Sequence, residues 1–349
     1  MEKKNQPFLR DLWYYALPSH QLRSGKTLAK TLLNEPILFG RDRAGKAFAL
    51  RDICPHRAVP LSKGRFTGLE IECCYHGWRF DPQGRCTAIP ALLEDQDTDL
   101  QRFRVRAYPV RETQGNIWIY MPSSAKGEAI PEMPAPQVPH FGDRSFQALA
   151  VMRFPCAVDH AVVGLMDPAH VPFVHRSWWW RADPTLADEV KTFDPRPRGF
   201  TMRRHRLQRN NLVYQIAGRE PEVEIDFQLP GIRVEQVITQ QNHICNLTTI
   251  TPISEEETEV TTLFYTTIPW FGLLKPILLP LTRAFLQQDR QMLIDQQTRL
   301  KFDPALLLVK DADTQARWYF QIKAEHNRAI AEQRPFVNPV KTQVLKWRS

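Results

Sequence analysis

The chain has 349 residues with a formal net charge of +8; 43% of them are hydrophobic, 24% are charged, and six are cysteines. That length predicts about two domains with ample cores, and six cysteines in so long a chain exclude a disulfide scaffold and fit a reducing compartment. Its Lys and Arg are scattered, with no dense run or aromatic-interleaved basic strip, which argues against nucleic acid and leaves an acidic electron-donor protein or a plain basic surface to explain the charge.

Met1-Glu2-Lys3-Lys4-Asn5-Gln6 lacks the apolar core of a signal peptide, so the cytoplasm is the expected compartment. Residues 36 to 121 read as mostly β. Ile37-Leu38-Phe39, a turn around Asp42 to Lys46 and Phe48-Ala49-Leu50 predict a hairpin. Asp81-Pro82-Gln83-Gly84 has turn composition, and Asn116 to Tyr120 predicts a strand ending at Met121-Pro122.

Between these strands lie Cys54-Pro55-His56 and, sixteen residues later, Cys73-Cys74-Tyr75-His76-Gly77-Trp78. Thiolates suit Fe–S centres or zinc, and imidazoles suit iron or zinc. A structural Cys2His2 zinc site usually groups its cysteines together and its histidines together. Here each loop carries one of each, and the pattern resembles the Rieske signature, in which two histidines replace two cysteines on one iron of a [2Fe–2S] cluster. Arg57, Gly77, Trp78 and Phe80 agree with it. Only Cys73 keeps two residues before His76, so Cys54, His56, Cys73 and His76 are the expected ligands and Cys74 a buried neighbour.

Residues 122 to 144, with Pro131, Pro134, Pro136 and Pro139, read as an extended linker. A second domain starts near Ser145, with a helical stretch at 158–170 and β-patterned runs at 211–217, 222–229, 232–239, 244–251 and 260–268. Residues 268–281 are apolar but broken by three prolines, a glycine and Lys275, too short and interrupted to span a bilayer. They read as a buried loop or the wall of an apolar channel, with shallow docking on a membrane surface as the second reading. A helix is predicted from about Leu281 to Phe302. The class is α+β, a sheet flanked by helices.

Asp167, His170 and His175 form the other informative stretch. A helix places Asp167 and His170 on one face. His170 and His175, five apart, would diverge unless Pro172 breaks the helix and lets His175 swing back. Alone, these read as two ordinary histidines at a helix end. Beside a one-electron carrier they read as half of a 2-His-1-carboxylate iron site. The carboxylate must come from elsewhere: Asp289, framed by apolar positions in the final long helix, is the choice and Asp295 the rival, against two solvated helix charges.

Taken together, these residues resemble the catalytic subunit of a Rieske non-haem iron oxygenase, from about residue 10 to about residue 300. Asp-x2-His-x4-His matches the family's two iron-ligating histidines, at His170 and His175. Gln288, Asp289, Leu293 and Gln296 resemble the third-ligand helix of the pheophorbide a oxygenase-like and vanillate O-demethylase-like branch, which implies Asp289 as the third ligand. The resemblance implies that Asp167 bridges an iron-ligating histidine and a cluster histidine, His76, across subunits of a homotrimer; a helix N-cap is the plain alternative. Where relatives often carry asparagine, this chain has Gly164 and Val163, so no polar residue is assigned there. Asp159 and His160 either support the site or cap and solvate the helix. Trp178-Trp179-Trp180 reads as core packing or as a lid.

What the resemblance implies is a terminal oxygenase: an all-β Rieske [2Fe–2S] domain at 1–121, a linker at 122–144, and a catalytic mononuclear Fe(II) domain at 145–349 with an antiparallel sheet flanked by helices. Electrons from NAD(P)H would arrive through a reductase, with or without a ferredoxin. Oxygen from O2 would enter a hydrophobic aromatic or polycyclic substrate by hydroxylation or oxidative demethylation. A cis-dihydroxylating dioxygenase, a Rieske electron carrier without oxygenase activity and a zinc-stapled binding protein are the alternatives.

Overall fold

Leu12–Pro18 and Asn116–Met121 are buried at every position, so each strand needs cover on both faces. The computed structural model describes residues 7–124, 130–175, 186–206, 218 and 220–349. They divide into two units, Arg10–Arg144 and Ser145–Ser349, the second joined by residues 7–9.

In the first unit, β1 (Leu12–Pro18), β2 (Lys26–Leu32), β3 (Glu35–Arg41), β4 (Ala47–Arg51), β5 (Arg65–Phe66), β6 (Ile71–Glu72), β7 (Arg79–Phe80), β8 (Cys86–Ala88), β9 (Ala107–Tyr108), β10 (Val110–Thr113) and β11 (Asn116–Met121) make three antiparallel sheets, ordered β1-β11-β10, β2-β3-β4-β9 and β5-β6-β7-β8. Trp13 opposite Tyr120 and Tyr15 opposite Trp118 are edge-to-face cross-strand pairs, the contact that sets register on a buried face. The expected hairpin is β3–β4. The proline-rich residues 130–144 have no regular secondary structure, yet they are fastened to this unit. Gln114 donates from Nε2 to the Val138 and Gly142 carbonyls and accepts from the Val138 amide, and Trp13 Nε1 donates to the Met133 carbonyl.

In the second unit, β12 (Ala148–Phe154), β13 (Asp188–Arg196), β14 (Gly199–Arg206), β15 (Glu222–Gln228), β16 (Ile232–Ile238), β17 (His243–Pro252), β18 (Thr258–Thr266) and β19 (Gln343–Arg348) form one antiparallel sheet ordered β12-β18-β17-β16-β15-β14-β13-β19. Its described α-helices are α1 (Val158–Met166), the single turn α2 (Val171–Val174), α3 (Lys275–Leu300) and α4 (Thr314–Ala331). Phe193, Phe200 and Phe227 share one sheet face. On it Trp318 of α4 lies 5.5 and 5.2 Å from the first two rings, and Tyr319 lies 6.0 Å from the third. Helix α1 lies on this face too. Asp159 accepts from the Tyr319 hydroxyl and the Lys323 ammonium at 2.6 Å, and a Cβ built on Gly231 would stand 3.3 Å from Val162 Cγ2. Asp159 is therefore a structural tie between α1 and α4.

The β-run expected at 211–217 lies outside the described residues, as does Trp178-Trp179-Trp180. Two local expectations need correction. The helix begun at Val158 stops at Met166 rather than 170. Asp167 precedes Pro168 and is extended, with φ −67° and ψ 117°, because a residue before proline is pushed out of the helical region. Pro172, expected to break a helix, instead sits near the start of α2, where its missing N–H costs nothing.

Residues 269–281, expected as a loop, are instead helical: a 3-10 helix over Pro269–Leu274 runs into α3. Pro269 and Pro276 occupy helix starts, and only Pro280 lies inside α3. Ile268 and Phe271 are buried, but Trp270, Leu273 and Ile277 are 51%, 80% and 64% exposed, so the segment is not buried as a whole. Among the described residues, no helix is long and apolar enough to cross a membrane.

Candidate metal centres

In the first unit the two Cys/His loops have the same backbone design. Cys54 N–H donates to the Val59 carbonyl and Ala58 N–H to the Cys54 carbonyl; Cys73 N–H donates to the Trp78 carbonyl and Gly77 N–H to the Cys73 carbonyl. Each loop closes through a left-handed residue, Ala58 at φ 56° and Gly77 at φ 69°. That conformation suits glycine and strains alanine, so the first loop accepts local strain to keep the shape of the second.

The loops bury Cys54 and Cys73 in the apolar core with Leu61, Ile71 and Phe80, while His56 and His76 are exposed. The two imidazole centroids are 4.6 Å apart, and His56 stacks on Trp78 at 4.7 Å. Burial raises the Cys54 thiol pKa to about 11. Two buried thiols and two exposed imidazoles are the donor set an asymmetric [2Fe–2S] cluster requires. Cys74, expected to be buried, is exposed, because the turn carries its side chain away from the core that holds Cys73.

In the second unit, α1 and α2 bring His170 and His175 together, and α3 supplies Asp289. His170 Nε2 and His175 Nε2 are 3.3 Å apart, and Asp289 Oδ1 lies 3.4 Å from the first and 3.2 Å from the second. His175 is 2% exposed and Asp289 7%. Three potential ligand atoms thus converge at one buried point. Among the described residues, Asp289 Oδ2 is buried without a hydrogen-bond partner, a state that costs free energy unless something else occupies it. Two imidazoles and one carboxylate suit mononuclear iron.

Burial opposes charge on His170, but the Asp167 and Asp289 carboxylates outweigh it and push its pKa up to about 9. Burial likewise opposes the Asp289 charge, and the two histidines outweigh it, holding its pKa below the ordinary value. Asp167 lies 3.7 Å from His170 Nδ1, an electrostatic contact rather than a hydrogen bond. Its Oδ1 accepts from the Ala169 amide at 2.7 Å. Asp295, the rival carboxylate, is exposed and accepts from Gln291 Nε2.

Gln288, named in the sequence only as part of the third-ligand motif, and Phe285, not singled out there, also meet this site. Gln288 Oε1 lies 2.9 Å from His175 Nδ1. An amide oxygen there requires the proton on Nδ1, which leaves the Nε2 lone pair aimed at Asp289 and His170. Phe285 stacks on the His175 ring at 3.5 Å. Phe285 and Asp289 are four apart on α3 and therefore on one face. That spacing was the available signal.

A profile of the Rieske [2Fe-2S] domain matches residues 12–109, and a profile of the vanillate O-demethylase oxygenase C-terminal domain matches residues 160–329. Among curated relatives, 4beta-methylsterol monooxygenase of Methylococcus capsulatus is 39% identical over 124 residues, covering 35% of this chain and 34% of that protein. The oxygenase component of dicamba O-demethylase from Stenotrophomonas maltophilia is 35% identical over 176 residues, covering 49% of this chain and 48% of that protein. The chain thus spans about a third and about half of the lengths of these relatives. The crystal structure of dicamba monooxygenase bound to dicamba has the same fold, with a TM-score of 0.72 at 22% identity over 93% of this chain and 98% of that one.

Proposed function

The chain belongs to the Rieske non-haem iron oxygenases, and on that premise we propose that it is a terminal oxygenase component acting on a hydrophobic aromatic or polycyclic substrate by hydroxylation or oxidative demethylation. The convergence of His170, His175 and Asp289 carries this reading, because an electron carrier has no use for a second, buried donor set. When bound, the [2Fe–2S] cluster supplies single electrons, and Fe(II) with open positions supplies dioxygen activation.

The chain's own residues divide the remaining work. Cys54, His56, Cys73 and His76 would hold the cluster. His170, His175 and Asp289 would hold the iron. Gln288 keeps the His175 proton on Nδ1, and Phe285 shields the ring from water. Asp167 links His170 to His76 of the partner subunit in a homotrimer, orienting both imidazoles and shortening the electron path.

The rest of the reading follows from the same assignment. The Rieske domain occupies 1–121 and the catalytic domain 145–349, connected by 122–144. An NAD(P)H-dependent reductase, with or without a ferredoxin, donates the electrons, and the basic surface favours an acidic donor. The compartment is the cytoplasm, with peripheral membrane contact through exposed Trp270, Leu273 and Ile277.

A stopped-flow experiment tests it. Dithionite-reduced protein is mixed with O2 and 6-methoxy-2-naphthol while cluster absorbance is followed. The reading predicts rapid cluster reoxidation in the wild type and at least tenfold slower reoxidation in His170→Ala. Equal rates in the two proteins contradict it.

A further inference from the structure

The sheet face beneath α1 is mostly apolar, as a surface packed against helices should be. Antiparallel partners point to the same side, so the register fixes which residues share it. One row across β14, β15, β16, β17, β18 and β12 reads Met202, Ile225, Glu235, Asn246, Phe264 and Ala148. The neighbouring row contains Phe227, Arg233 and Thr248. Phe227 is the ring that meets Tyr319 of α4, and Gly231, two residues before Arg233 on the same side, is where Val162 of α1 rests. Four residues after Val162, α1 ends at Met166, and the chain passes directly into the segment holding His170. The polar group Arg233, Glu235 and Asn246 therefore lies on the sheet face that α1 covers, and α1 leads directly into the segment holding His170.

This island is chemically unusual. Arg233 Nη1 donates to Glu235 at 2.8 Å, with side chains only 21% and 12% exposed. Asn246 stands directly opposite Glu235, and its Oδ1 is buried without a hydrogen-bond partner among the described residues. In the same row Ile225 and Phe264 flank the pair with apolar surface. The second ion pair on this face, Lys191 with Glu189 at 2.9 Å, is also self-neutralised. Among the described residues the island thus offers guanidinium donors and an amide acceptor, but no net charge.

We propose that Arg233, Glu235 and Asn246 form a substrate-anchoring subsite that takes a single uncharged hydroxyl or carbonyl group on an otherwise apolar ring compound and discriminates against a carboxylate. This rests on the oxygenase reading and names the substrate class of that site. A hydroxyl donates to Asn246 Oδ1 and accepts from Arg233, completing the orphaned acceptor, while its rings lie against Ile225 and Phe264. A carboxylate meets a guanidinium already neutralised by Glu235, so it is desolvated without compensation and repelled by the neighbouring carboxylate.

The test uses iron-loaded holoenzyme and two matched probes, 6-methoxy-2-naphthol and 6-methoxy-2-naphthoate, with dissociation constants from calorimetry. The wild type is expected to bind the naphthol at least about tenfold more tightly. Glu235→Gln, which frees Arg233, should reverse that order, and Asn246→Leu should weaken naphthol binding about tenfold with little effect on the naphthoate. Matching melting temperatures establish that the variants fold. Equal or tighter naphthoate binding by the wild type, an unchanged ratio in Glu235→Gln, or no binding of either probe overturns the proposal. Iron content of the same batch separates the two readings. A chain lacking the mononuclear iron sinks the oxygenase reading whatever the probes do, whereas a full iron complement with the wrong probe order sinks only the subsite.

Discussion

Gln288 Oε1 sits 2.9 Å from His175 Nδ1, and the residue immediately after it, Asp289, faces the opposite ring nitrogen of the same histidine at 3.2 Å. One turn of α3 therefore both orients an imidazole and places a carboxylate where that imidazole points. Gln288→Leu removes the acceptor while keeping the bulk. It should weaken Fe(II) affinity about 10- to 100-fold, whereas Gln288→Glu, which keeps an acceptor oxygen, should stay close to wild type. Anaerobic Fe(II) titration of the cluster-loaded protein checks this; an unchanged affinity in Gln288→Leu contradicts it.

Asp289 and Asp295 share a helix but not an environment. Asp289→Ala should abolish mononuclear iron binding and leave the cluster absorbance intact. Asp295→Ala, at an exposed position, should change stability by no more than about 0.5 kcal/mol and leave iron content unchanged. Iron analysis of both variants decides between them.

Metal binding should depend on pH with a definite sign. The metal-free His170 pKa is pushed up to about 9 by Asp167 and Asp289 against the effect of burial. A ligand must be neutral, so below that value the metal competes with a proton. Fe(II) affinity should rise about tenfold per pH unit between roughly pH 6.5 and 8.5 and level off above about 9. A flat profile over that range would show that His170 is not a ligand.

The two adjacent cysteines should behave oppositely. Cys73→Ser is expected to abolish the cluster's visible absorbance, since Cys73 is buried and bonded within the loop. Cys74→Ser, at an exposed site, should retain it in full. Loss of colour in the Cys74 variant would reassign the ligand.

Glu35 tests what holds the first unit together. It accepts from Arg10 at 2.5 Å and from the Tyr108 hydroxyl, with Arg106 at 3.8 Å. Burial works against its charge, but Tyr108 and Arg10 outweigh it and lower its pKa. A depressed folded-state pKa gives stability that is complete above the ordinary glutamate value and is lost as pH falls through the folded one. Glu35→Ala should cost about 1–3 kcal/mol near neutral pH, a gap that narrows in acid. Urea unfolding at about pH 7 and about pH 3 measures it, and a pH-independent gap contradicts the account.

The first candidate site was legible because its Cys/His spacing lies within two short loops, each closed by its own backbone hydrogen bonds. The second was half legible. His170 and His175 are local, but Asp289 arrives from a distant helix, and spacing alone could not separate it from Asp295. Gln288 and Phe285 depend on the rotation of α3 about its own axis, which the sequence does not specify until the helix is docked. The helix break was assigned to Pro172 when the restriction actually falls on Asp167 before Pro168. Residues 268–281 misled because prolines were read as loop residues, although Pro269 and Pro276 occupy helix starts. The ion pair of Arg233 and Glu235 is invisible in the sequence, because which strand face the helices cover follows only from register.

One measurement asks directly whether one chain holds both a Rieske cluster and a separate iron. Protein purified anaerobically should contain three irons and two labile sulfides per chain, with a Rieske EPR signal after dithionite reduction. In His170→Ala the count should fall to two irons with the signal unchanged. Two irons in both proteins, or zinc in place of iron, would contradict the account and leave a carrier or a structural site.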